Sequence, residues 1–189
     1  GTAENATAQA LFESTGTIEP AMEEYPLDIE AGDAVTITLM SEEFDTVLTL
    51  IGPDGSQVAF NDDFGDTLNS QIIYSADTSG TYTIVAESFD GTGGEFDIAV
   101  RSATPYEVSY AEALMNMDSG NFTGAIAAFS NAIELAPDNP DLYLGRADAY
   151  FAQAQVDLEA QGLFLEEPAD LPDEAREAIV GDFQTAAEL

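Results

Sequence analysis

Asn61, Asp62, Asp63 and Asp66 put four oxygen-bearing side chains within six residues, around the turn-forming Gly65. Oxygen donors at that density suit a hard cation, calcium above all, which takes about six to eight oxygens at once. Asp45, just ahead of the apolar run Val47 to Ile51, is a fifth candidate ligand. The segment is not an EF-hand loop, because the twelfth residue counted from Asn61 is Ile72, where a bidentate Glu is required. The same residues also read as an Asx-rich hairpin turn whose side chains bond their own backbone. Both readings stand on the sequence.

Other chemistry is limited by what the chain lacks. Its 189 residues include 37 Asp and Glu against three Arg, with no Lys, His or Cys. A Ser nucleophile therefore has neither of its usual bases, a Schiff base has no amine, and a phosphate-binding loop has no Lys. Zinc and the softer transition metals lose their thiolate and imidazole ligands. A glycosidase needs only two carboxylates, but there is no Trp to stack on sugar. The sequence thus points away from an enzyme.

The net charge of −34 repels nucleic acid and anionic lipid, since both are bound through Lys and Arg. Acids are spread along the chain. Residues 1–104 carry 20 acids and one Arg, a net −19, and residues 105–189 carry 17 acids and two Arg, a net −15. Such acidity suits a solvated surface in saline surroundings as well as cation binding. With 45% hydrophobic residues the chain has enough apolar material for cores, unlike a disordered acidic tail. No apolar run approaches the ~20 residues that span a bilayer, so membrane insertion is not expected. The first residue, Gly1, suits a processed secreted protein and equally a trimmed piece.

The elements that would position the carboxylates show a period of two. Tyr25, Leu27 and Ile29 alternate with polar or turn residues, as do Val35, Ile37 and Leu39, then Tyr82, Ile84 and Ala86, then Phe96, Ile98 and Val100. With Thr46 to Ile51, Gln57 to Phe60 and Gln71 to Tyr74, about seven strands are expected, separated by Gly, Pro and Asp turns. Within this pattern, the strings Glu24 to Asp33, Phe44 to Leu50, Gly52-Pro53-Asp54-Gly55, Asn61-Asp62-Asp63 and Ser79 to Ile84 resemble the bacterial pre-peptidase C-terminal domain. That resemblance implies a secreted, antiparallel, jelly-roll-like β-sandwich, commonly an appendage of extracellular proteases, with calcium bound in some relatives and collagen in collagenase relatives.

Beyond Ser102 the period lengthens. Thr104-Pro105-Tyr106-Glu107 reads as a helix start, and Ser119-Gly120-Asn121 as its stop. Apolar stripes follow in Phe122 to Ala136, in Tyr143, Ala147, Tyr150, Phe151, Ala154 and Leu158, and in Ile179, Val180, Phe183 and Ala186. The segment Gly120 to Pro137 resembles the second half of a tetratricopeptide repeat, and later residues fit a second repeat with about twenty extra residues between its helices. This likeness implies protein contacts and no chemistry.

The sequence therefore predicts an N-terminal segment (1–14), a β-sandwich (15–102) and a short all-α helical-hairpin domain (103–189). The expected function is that of a secreted, acidic, non-enzymatic structural or interaction protein at the cell surface or outside it. It is expected to be stabilised by calcium at Asp45, Asn61, Asp62, Asp63 and Asp66, and to self-assemble into a homo-oligomer or filament. The alternative is a monomeric adhesion or targeting module for an extracellular protein or polysaccharide.

Overall fold

In the computed structural model, residues 9–18, 22–65, 67–165 and 170–189 are described. The chain divides into two units, Gly1–Thr104 and Pro105–Leu189.

Among its described residues, the first unit contains eight strands: β1 (Ala10–Ile18), β2 (Glu23–Ile29), β3 (Ala34–Met40), β4 (Thr46–Ile51), β5 (Gln57–Asn61), β6 (Ser70–Ser75), β7 (Gly80–Ser88) and β8 (Gly94–Ser102). They form two four-stranded antiparallel sheets, ordered β1-β8-β3-β6 and β2-β7-β4-β5. This is the strand order of a jelly roll, in which two sheets share one core. The alternating residues meet there: Ile37 and Leu39 from β3, Leu48 and Leu50 from β4, Tyr82 and Ile84 from β7, and Ile98 and Val100 from β8 are all buried. The β-sandwich expected from the period of two is thus present.

Strand β1 crosses the expected boundary at residue 14. Its inward positions are Phe12, Ser14, Gly16 and Ile18, so half of them carry no apolar side chain and the period of two is hidden. Gly16 pairs with Phe96, and a Cβ on it would lie 2.6 Å from the Phe96 ring. A small residue is required there because the ring of the neighbouring strand fills the space.

Antiparallel pairing sorts the connections into two groups. The links β1–β2, β3–β4, β5–β6 and β7–β8 lie at one end of the sandwich, called here the far end. The links β2–β3, β4–β5 and β6–β7 lie at the other, the linker end, where β1 begins and β8 runs out towards Pro105.

The second unit contains α1 (Pro105–Asp118), α2 (Phe122–Leu135), α3 (Pro140–Ala160) and α4 (Asp173–Glu188). Asn121 caps α2 by accepting from the Gly124 amide, and Asn139 caps α3 by accepting from the Asp141 amide, with Pro140 in the first turn. Two expected stripes differ in detail. Phe151 is exposed on α3 while Leu142 is buried, and on α4 Val180 and Phe183 are exposed while Asp182 is buried. On α4 the cause is Arg146 of α3. Its guanidinium donates to both carboxylate oxygens of Asp182, at 2.9 and 2.6 Å, and to the Ser130 hydroxyl of α2 at 3.0 Å. A bidentate ion pair turns α4 so that its acid faces inward.

Candidate functional site

Asp45 sits at the far end, one residue before β4. Its position is fixed by Thr46, whose amide donates to the Leu68 carbonyl at 3.0 Å and whose hydroxyl lies 2.8 Å from that of Ser70 on the opposite sheet. Both hydroxyls are buried, and Ser70 also donates to the Thr46 carbonyl. This polar staple ties β4 to β6 directly beneath Asp45. On the other side, the Phe89 amide donates to the Asp45 carbonyl at 2.9 Å, which brings the β7–β8 loop alongside.

Asp45 Oδ1 is buried and has no hydrogen-bond partner. A carboxylate oxygen left in that state is costly, since ionised groups are normally paired or solvated. Burial pushes the Asp45 pKa above the ordinary Asp value, and the nearby carboxylates of Asp63, Asp62 and Asp90 push it in the same direction. Two loops, β5–β6 and β7–β8, thus aim negative charge at one half-buried acid on a third.

The sequence candidates divide under this geometry. Asp62 and Asp63 face Asp45 closely enough to act on its proton. Asn61 serves the loop itself: its Oδ1 accepts from the Gln71 amide at 2.9 Å and its Nδ2 donates to the Asp63 carbonyl at 2.8 Å. The reading of side chains that bond the hairpin backbone therefore describes Asn61, while the carboxylates of Asp62 and Asp63 have no such task. Asp66 lies outside the described residues. Asp90 was not among the candidates, although Asp90-Gly91-Thr92 is an Asx turn at the same end. Its Oδ1 accepts from the Thr92 hydroxyl at 2.6 Å, the Thr92 amide at 3.0 Å and the Ser88 hydroxyl at 3.0 Å, and these bonds hold its pKa below the ordinary value. Asp90 is consequently a fixed negative charge.

The donor set is all oxygen, and Asp45 Oδ1 is an orphaned acceptor, so the residues present suit a hard cation. Among the described residues no three carboxylates already stand in a cation's coordination geometry. Asp62 or Asp63 would have to swing towards Asp45 to complete a site.

Residues 113–153 match the family model of a TPR repeat, covering α2 with parts of α1 and α3. In structure the chain is similar to the pre-peptidase C-terminal domain of a collagenase from Bacillus anthracis, at 14% identity over 47% of this chain and 87% of that one, with a TM-score of 0.41. It is also similar to a periplasmic inhibitor of g-type lysozyme from Aeromonas hydrophila, at 17% identity over 51% and 89% of the two chains, with a TM-score of 0.40. A further similarity is to the CBM51-2 and INT domains of ZmpB from Clostridium perfringens, at 12% identity over 87% and 34%, with a TM-score of 0.33. No curated protein matches the chain in sequence.

Proposed function

We propose that this chain is a non-enzymatic extracellular interaction protein whose sandwich is stabilised by calcium at the far end and whose helical unit joins copies into a homopolymer. The observation that carries the reading is the orphaned Asp45 Oδ1 among the carboxylates of Asp62, Asp63 and Asp90. Calcium would be held by Asp45, Asp62 and Asp63, with Asp90 adding charge and Asp66 the remaining sequence candidate. Its positive charge would offset the repulsion between three loops that carry no basic residue. Self-association is supported by the exposed Val180 and Phe183 of α4, which suit packing of a further helical layer. The absence of Lys, His and Cys supports the non-enzymatic part.

Thermal melting tests the calcium part. A cation bound only by the folded state adds about 2.7 kcal/mol at a hundredfold excess over its Kd. Melting should therefore rise far more in calcium than in NaCl of equal ionic strength, and Asp62→Asn with Asp63→Asn should remove most of that difference. Equal shifts in both salts would leave screening alone as the cause. Light scattering at high protein concentration in millimolar calcium tests assembly. A chain that stays monomeric there favours the second reading, a monomeric adhesion or targeting module, which the exposed Phe64, Leu68 and Phe89 of the far-end loops also support.

A further inference from the structure

The two ends of the sandwich expose different side chains. Met22, Met40, Phe64, Leu68 and Phe89 stand at the far end and are each at least 49% exposed, whereas at the linker end the described loops expose no large hydrophobic residue and Leu11 alone is exposed where β1 begins. Backbone bonds gather them, because the Thr46 amide meets the Leu68 carbonyl while the Asp45 carbonyl meets the Phe89 amide. Leu68 and Phe89 thus flank a single dipeptide. Beside them, a groove of about 700 Å³ runs between the end of β1 and the β3–β4 loop, with Met40 and Phe96 in its lining and Glu42, Glu95 and Asp97 along its walls. The cross-strand row Thr15, Asp97, Met40 forms one side of it. The carboxylates of Glu42, Glu95 and Asp97 make no hydrogen bond or ion pair among the described residues.

Exposed apolar surface next to unpaired carboxylates matches a partner that is both apolar and positive. Lys and Arg side chains fit this description, since the stem lies on Met and Phe while the cation meets a carboxylate. A second copy of the chain does not. It has no Lys or His, its Arg146 is bound to Asp182, its Arg176 is bound to Asp173, and its Arg101 donates to the Ser102 carbonyl. Nucleic acid and anionic lipid carry the same sign of charge as the chain. We propose that the far end is the docking surface for a Lys- or Arg-rich segment of another protein. This rests on the reading of the chain as an interaction protein and gives the chemistry of one partner. The charge of −34 then also speeds encounter with such a partner.

The test uses the full chain and a short synthetic peptide alternating Lys and Ala, with a Glu and Ala peptide as control. Glu42→Gln, Glu95→Gln and Asp97→Asn together should weaken binding of the Lys peptide roughly tenfold. Glu30→Gln, Asp33→Asn and Asp77→Asn remove the same charge from the linker end and should weaken it less than about twofold. Leu68→Ser with Phe89→Ser should also weaken it, with little change in salt dependence. Equal losses from the two charge triples would overturn the proposal in favour of a diffuse field. Retention of full affinity by the first triple would overturn it too. So would calcium-dependent binding of phosphatidylserine vesicles without peptide binding, which would make the far end a membrane-facing surface. None of these variants alters the α4 face, so the light-scattering test of assembly reads independently.

Discussion

The two units fill their interiors in opposite ways. The sandwich core is built from large side chains such as Ile37, Leu39, Leu48, Leu50, Tyr82 and Ile98, while the helical unit buries Ala113, Ala125, Ala128, Ala132 and Ala149 around Phe129 and Leu142, and Ala147 and Ala154 beside Leu171 and Ile179. Sheets stack about 10 Å apart and need long side chains to close the gap. Helices that pack through alanine approach closely and leave room for few large residues. Among the described residues, the burden of large apolar burial therefore falls on many residues in the sandwich and on fewer in the helical unit, chiefly Phe129, Leu142, Leu158, Leu171 and Ile179. The helical unit adds the Arg146–Asp182 pair, for which the sandwich's counterpart is the neutral Thr46–Ser70 hydroxyl pair.

The helical core depends most on Phe129, its largest fully buried side chain among the described residues. Phe129→Ala should cost about 3–5 kcal/mol and lower the urea midpoint of the helical circular dichroism signal more than any other single substitution in that unit. Leu48→Ala should cost about 2–5 kcal/mol in the sandwich, where many large neighbours remain. Next comes the ion pair: Arg146→Leu leaves Asp182 buried and unpaired and should cost about 3 kcal/mol, while Arg146→Leu with Asp182→Leu should recover most of the loss. An uncorrected double variant would mean that the pair is worth more than its replacement by apolar packing.

Smaller effects test close approach. A Cβ on Gly145 would lie 2.5 Å from the Phe129 ring, whereas one on Gly181 meets nothing within 4 Å. Gly145→Ala should thus cost about 1–3 kcal/mol by overpacking. Gly181→Ala should stabilise α4 by about 0.5–1 kcal/mol, because glycine is the poorer helix former. Equal outcomes would contradict the tight seam between α2 and α3.

A change of pH acts on Asp45 with one sign and on Asp54 and Asp90 with the other. The folded pKa of Asp45 is raised, so its contribution to stability is full below the unfolded value and is lost as pH rises through the folded one. Asp54 and Asp90 are held down, by bonds from Ser56 and from Thr92 and Ser88 respectively, so their contributions are present above the unfolded value and are lost as pH falls through the folded one. NMR titration without calcium should find Asp45 protonating above both. Added calcium should move Asp45 downward and leave Asp54 in place.

Sequence legibility followed the size of inward residues. Seven strands were readable because their buried positions carry Ile, Leu, Val, Phe or Tyr, while β1 was hidden by Ser14 and Gly16. The helices were readable from Asn121, Asn139 and the prolines. The inward face of α4 was not, since the burial of Asp182 depends on an arginine 36 residues away. At the site, the run from Asn61 to Asp66 was visible as a local cluster. The roles of its members were not, because Asn61 is committed by Gln71 and Asp90 arrives through the β7–β8 loop, and both follow from tertiary pairing.

The antiparallel pairing of β1 with β8 also has a mechanical consequence. The chain enters β1 and leaves β8 side by side at the linker end, where the Ser102 amide meets the Gln9 carbonyl and Ala10 pairs with Arg101. Tension applied through the two chain ends would load that first pair and open the ladder one rung at a time, as in unzipping, because the rungs lie along the pull instead of sharing it in shear. A sandwich strung this way would yield at low force from the linker end, and its far end would stay folded until the last rungs at Ile18 and Gly94 part.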